Sequence, residues 1–248
     1  MNAPHDDRRR ADDLARRRDE LATAIAVVRE RIAAACTAVG RQPQEVTLVA
    51  ITKTRPASDV ALLAELGVLD VGENRDQEAS AKAAELAGTP GLRWHFVGRL
   101  QTNKARHVVK YAYAVHSVDR PEVATALADA AERSARAERL DVFLQVSLDG
   151  DPARGGVLSD QLLPLAAVVA ARSQLRLRGV MAVAPLGADP DRAFADLAAI
   201  SGGLRAVHTE ATAISAGMSQ DYESAVRHGS TYVRVGSALL GDRPSNIG

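Results

Sequence analysis

A single cysteine, Cys36, stands in the whole chain. That leaves no internal disulfide and no cysteine metal cluster, and it fits a reducing, cytoplasmic compartment. Aromatic residues are also scarce, at 3% of 248 positions, so Ala, Val, Leu and Ile must build the core. Charge of one sign is missing: 31 basic and 31 acidic side chains cancel. The balance argues against a nucleic-acid or membrane surface. No apolar run approaches the about 18 residues of a membrane-spanning helix. The first 20 residues are dense in charge and lack the apolar stretch of a secretory signal.

What remains is 46% hydrophobic, enough for a sizeable core. The length suits one α/β barrel or two small domains. Residues 1–12 read as a loose charged tail. From Leu14 to about Val39 apolar residues recur at helical spacing, at Leu14, Leu21, Ile25, Val28 and Ile32. Gly40 supplies a stop, with Pro43 just beyond. Cys36 falls on this helix without an activating histidine nearby in sequence, and reads as a packed side chain.

After Gly40 the pattern alternates. Strands are predicted at Val46–Lys53, Val68–Val71, Arg93–Val97, Ala112–Ser117, Val142–Leu148, Leu177–Val183, Ala213–Ser215 and Tyr232–Val235. Helices are predicted between them, at about 57–66, 75–87, 102–110, 121–139, 159–172, 190–207 and 219–228. Such alternation predicts βαβ units and a parallel sheet. Eight strands predict closure into a single (β/α)8 TIM barrel with an additional N-terminal helix, one domain over residues 13–248. An open doubly wound sheet is the alternative, but no GxGxxG follows the first strand.

Polar residues gather at the strand ends, where a barrel keeps its site. Lys53 ends the first apolar run. Desolvation at such a rim lowers a lysine pKa, and the neutral amine forms a Schiff base with an aldehyde. The plainer reading is a lysine whose head escapes to water. The last two loops read as a phosphate cradle. Ser219 stands at an N-cap, Gly217 allows close backbone approach, and Gly236-Ser237 opens a short segment after strand eight. The same residues also suit ordinary turns and an ordinary cap. Arg234 interrupts the apolar strand Tyr-Val-Arg-Val-Gly, which is costly unless it is paired or lines a cavity. It is either a core arginine held by a carboxylate or an arginine facing a ligand's ring nitrogen. Arginine only donates, so it suits an unprotonated pyridine nitrogen and would make a pyridoxal cofactor a weak electron sink. A lysine, a phosphate cradle and a ring-nitrogen partner are the parts that pyridoxal 5′-phosphate needs.

Several ordered stretches between residues 46 and 241 carry a family resemblance. They are Leu48-Val-Ala-Ile-Thr-Lys-Thr-Arg-Pro56, Gly72-Glu-Asn74 with Gln77-Glu78, and Trp94-His-Phe-Val-Gly-Arg-Leu-Gln-Thr-Asn-Lys104. Leu177-Arg-Gly-Val-Met-Ala182, Gly217-Met-Ser-Gln-Asp221 and Gly229-Ser-Thr-Tyr-Val-Arg-Val-Gly236 complete the set. Together they resemble the pyridoxal phosphate homeostasis family, whose fold is similar to the barrel domain of alanine racemase. The resemblance implies that Lys53 forms the Schiff base. It implies that Ser219, Gly236 and Ser237 hold the phosphate, with Ser230 and Thr231 as further candidates. It puts Arg234 near the pyridine nitrogen, Asn74 near the cofactor and Met218 on the pocket wall. Three positions depart from the family pattern. Arg154-Gly155-Gly156 stands where a Lys-x-Gly is usual, and arginine cannot act there as an amine nucleophile. Ala216 and Leu240 replace larger apolar residues.

His95, between Trp94 and Phe96, faces opposite to both and reads as a histidine that lines the barrel or bonds a neighbour. The other histidines show no metal-ligand spacing. The first reading is a carrier that holds the cofactor and delivers it to apoenzymes without robust turnover, and a short edgeless barrel with an added helix suits a monomer or weak homodimer. An amino-acid racemase is the alternative, and a cofactor-free lysine aldolase a third reading. Racemisation needs a base on each cofactor face, and Tyr111, Tyr113, Tyr222 and Tyr232 have no evident place opposite Lys53.

Overall fold

Alternating apolar runs and amphipathic stretches bury their faces only when each helix folds back over its strand. A computed structural model describes residues 3–241 in that arrangement. Among the described residues, β1 (Thr47–Ile51), β2 (Asp70–Glu73), β3 (Arg93–Phe96), β4 (Ala112–Val118), β5 (Leu140–Gln145), β6 (Leu175–Met181), β7 (Ala213–Ser215) and β8 (Tyr232–Val235) form a barrel closed in chain order. All neighbours are parallel, and β8 closes on β1 through pairs such as Val49 with Arg234. Helices α1 (Ala3–Thr37), α2 (Ala57–Glu65), α3 (Asp76–Glu85), α4 (Ala105–Tyr111), α5 (Pro121–Arg133), α6 (Leu162–Ala170), α7 (Pro190–Val207), α8 (Tyr222–Arg227) and α9 (Ser237–Leu240) surround it. No described helix is long and apolar enough to cross a membrane.

Some boundaries differ from the sequence reading. The first strand stops at Ile51, so Lys53 lies in the turn beyond it. β5 begins at Leu140 rather than Val142, because buried Asp141 accepts from Arg176 and stays in the ladder. The helix expected over 121–139 ends at Arg133, and Ala135 then turns at φ +49°. Residues 3–12, read as a loose tail, belong to α1. Opposite charges near them pair along the helix face, as Asp13 does with Arg16 at 3.0 Å and Glu20 with Arg17 at 3.2 Å. Residues 1–2 and 242–248, assigned to the tail and the domain end, lie outside the described residues.

The buried stripe of α1 runs through Leu21, Ile25, Val28, Ile32 and Cys36, while Leu14 is exposed. These side chains share one core with α2, α8, α9 and the β1 and β8 strands. A larger core fills the space between α4–α7 and the strands β3–β7. Close strand packing requires Gly179, where a Cβ would meet the Ala213 carbonyl oxygen at 1.8 Å.

Candidate functional site

Parallel strands all end on one rim, so residues far apart in sequence meet there. A cavity of about 580 Å³ opens on that rim, a size typical of cofactor sites. Lys53, Met218, Ser219, Arg234, Gly236 and Ser237 all line it, as do Ile51, Arg55, Asp221 and the β6–α7 segment from Ala184 to Ala188. Three cations against one carboxylate favour an anionic ligand. Leu186 is 97% exposed and Met218 39% exposed at its mouth.

The backbone beside Lys53 is strained. Thr54 has φ +65°, which is unusual for a β-branched residue and costs about 1–3 kcal/mol. A buried charge cluster holds it there. Lys82 Nζ donates to the Thr52 carbonyl at 2.8 Å, to Glu73 Oε1 at 2.7 Å and to Glu78 Oε1 at 2.7 Å. The Thr54 N–H donates to the same Glu78 oxygen at 2.6 Å, and the Thr52 hydroxyl donates to Glu73 at 2.7 Å. Burial pushes the Glu73 carboxyl up, against the opposing pull of Lys82 and Thr52. The sequence reading missed this cluster. The signal was present in Glu78 and Lys82, one helical turn apart.

On the wall of the same cavity, the Ser219 hydroxyl accepts from the Gly236 N–H at 3.2 Å and the Ala238 N–H at 3.3 Å. Two backbone donors thus converge on one oxygen at the cavity wall. Gly217 makes the turn possible at φ +91°, where a Cβ would meet Tyr222 Cα and Ala225 Cβ at 2.7 Å. The Met218 N–H donates to Asp221 at 2.6 Å and closes the same loop.

Arg234 is buried in the barrel and donates to the Ser215 hydroxyl at 2.6 Å and the Ala182 carbonyl at 2.9 Å. Both hydrogen-bond partners are neutral, so the carboxylate-held alternative does not describe it. Burial lowers its pKa to about 10, which leaves it charged at neutral pH, and Asp221 opposes the fall.

The remaining candidates lie elsewhere. Ser230 is fully buried, and its hydroxyl is engaged by the backbone of Ile214, Ala216 and Tyr232. The Thr231 hydroxyl accepts from Ile214 N–H at 3.1 Å. Both precede β8, so they brace the β7–β8 connection and do not line the cavity. Asn74 lines a second cavity with Arg75, Arg99, Lys104 and Arg120, over the ends of β2–β4. Arg154 lies behind the wall, donating to the Val183 and Ala184 carbonyls at 3.0 and 2.8 Å. None of the four tyrosines lines the Lys53 cavity.

The residues fit a phosphorylated aromatic aldehyde. The Ser219 oxygen occupies a point where two N–H groups already converge, and a primary amine and a buried guanidinium share the same cavity.

Comparison with known proteins agrees in extent and kind. Residues 26–244 match the family model described as alanine racemase, N-terminal domain. The pyridoxal phosphate homeostasis protein of Mycobacterium bovis is 47% identical over 245 residues, covering 92% of this chain and 94% of that protein. Its Escherichia coli K12 counterpart is 38% identical, covering 91% and 97%. The solved structure of PipY from Synechococcus elongatus with PLP bound superposes with a TM-score of 0.79 at 33% identity, covering 89% of this chain and all of that one.

Proposed function

Since the chain belongs to the family of pyridoxal phosphate homeostasis proteins, built on the alanine racemase N-terminal domain, we propose that it binds pyridoxal 5′-phosphate covalently and reversibly through Lys53. When bound, the cofactor supplies an aldehyde that condenses with a primary amine. The observation that carries this reading is one cavity shared by Lys53, the Ser219 loop, Gly236-Ser237 and Arg234. In it Lys53 supplies the amine. Ser219, Gly236 and Ser237 bind the phosphate through hydroxyl and backbone N–H donors. Arg234 would donate to the ring nitrogen and favour its unprotonated form, because a guanidinium has no acceptor to offer. Met218 would line the pocket, and Asn74 stands in the neighbouring cavity.

The chain acts as a carrier that holds the reactive aldehyde and hands it to apoenzymes in the cytoplasm, as a monomer or weak homodimer, without robust turnover. Two observations support this over racemisation. A two-sided proton transfer needs a second base, and no tyrosine lines the cavity. The mouth is open to solvent at Met218 and Leu186, which suits exchange better than protected carbanion chemistry.

Borohydride reduction of the yellow protein followed by peptide mass analysis tests the assignment. The pyridoxyl mass is expected on Lys53 and absent from Lys53→Ala. The same mass on Lys82, Lys104 or any other lysine overturns it. Racemisation assays across the common amino acids test the carrier role, which rapid turnover with any of them defeats.

A further inference from the structure

We propose that Asp70, His95, His116 and Ser215 position the Arg234 guanidinium through an unbroken hydrogen-bonded wire of one polarity that crosses the barrel interior. The wire is a property of the chain itself; its bearing on the cofactor rests on the reading above.

Five strands contribute one group each. Arg234 on β8 donates to Ser215 Oγ on β7 at 2.6 Å. Ser215 Oγ meets His116 Nδ1 on β4 at 2.8 Å, and His116 Nε2 meets His95 Nδ1 on β3 at 2.8 Å. His95 Nε2 meets Asp70 Oδ1 on β2 at 2.8 Å. All five residues are buried. Phe143 stacks on His116 with centroids 4.3 Å apart, and the Tyr113 and Tyr232 rings flank His95. Asp70 stands at the start of β2, on the rim opposite Lys53, where Arg93 also donates to it.

The two ends settle the direction. Arg234 can only donate and an ionised Asp70 can only accept. With one ring hydrogen on each imidazole, as the proposal holds, every hydrogen between the two ends points the same way. Ser215 donates to His116 Nδ1, His116 Nε2–H to His95 Nδ1, and His95 Nε2–H to Asp70. Reversing either ring sets two lone pairs face to face at Asp70, or leaves the Ser215 hydrogen without its acceptor. Burial above all pushes His116 well below its usual range and keeps it neutral. Asp70 stays ionised, since the hydrogen bonds from Arg93 and His95 oppose the effect of burial and its carboxyl lies below the usual range.

The consequence falls on Arg234. With its hydrogen committed to His116, Ser215 turns a lone pair toward the guanidinium. That contact and the Ala182 carbonyl hold the planar group in one orientation while it lines the Lys53 cavity. Asp70, at the far rim, is then part of the cofactor site without touching it. The charged groups nearer Arg234 are Asp221, Lys53 and Arg55 at the cavity.

Two measurements test the wire. In cofactor-free protein with 15N-labelled histidine, both His95 and His116 are expected neutral with the proton on Nε2. An Nδ1–H tautomer or a charged ring at either position overturns the polarity. In cofactor-loaded protein, Ser215→Ala, His116→Phe and Asp70→Asn are expected to keep the borohydride-trapped adduct on Lys53. The pH midpoint of the visible band should move by about one unit, the worth of one hydrogen bond to a charged group. Midpoints that superimpose on wild type in the folded variants overturn the positioning role; if His116→Phe does not fold, Ser215→Ala decides. An absent adduct in wild type defeats the cofactor reading instead, and the imidazole spectra still judge the wire.

Discussion

Lys82 shows how much a single buried residue carries. Its ammonium compensates Glu73, whose second oxygen is already buried with no hydrogen-bond partner among the described residues. Lys82→Met strands that carboxylate, and the expected loss is about 3–5 kcal/mol, read as a lower melting temperature. The same variant releases the Thr52 carbonyl and loosens the strained turn beside Lys53, so slower adduct formation should accompany it. Gly217 carries a different constraint. Gly217→Ala adds a Cβ against backbone at 2.7 Å in a positive-φ conformation, and we expect roughly 1–3 kcal/mol of destabilisation with weaker cofactor retention. Equal melting temperatures for Gly217→Ala and wild type would count against that account.

At the scale of elements, α1 is more than a cover for apolar surface. Arg17 on α1 donates to both oxygens of Asp59 on α2, at 3.2 and 2.8 Å, and to the Leu240 carbonyl at the end of α9 at 3.1 Å. It therefore braces the short helix that follows the Gly236-Ser237 donors. Arg17→Met leaves Asp59, with its side chain 8% exposed, without that partner. A drop in melting temperature and faster cofactor release on dilution are the expected outcomes. Unchanged release would restrict α1 to stability alone. The length of α1 was underread from the sequence because its first turns have no apolar stripe, and charge pairing along a solvated face leaves a weaker mark than hydrophobic period. The eight strands were readable because each is a short apolar run between helices. Their ends were less so, since ladder partners such as Asp141 and Arg176 set them and lie in different strands.

For the whole molecule, acid is the weak side. His116 has a lowered folded pKa, so the unfolded chain binds its proton first as pH falls. Its contribution is complete above the unfolded value of about 6.5 and is lost progressively below it, at up to about 1.4 kcal/mol per pH unit. Asp70, also lowered, adds its own loss only below about pH 4. Melting temperatures measured from pH 7.5 to 5 should therefore fall, and His116→Phe should flatten that stretch of the curve. A wild-type curve level over this range would contradict a neutral buried His116.

Local pattern and motif, which need only neighbouring residues, determined the barrel class and singled out the last two loops, Lys53 and Arg234 as candidates. Tertiary structure alone decided which of those candidates share a cavity. It moved Ser230 and Thr231 into the β7–β8 connection and Asn74 to a second cavity. It also brought His116 to Ser215 across 99 positions. Hydrogen bonds act over about 3 Å, and only the closing of the barrel sets residues from distant strands at that distance.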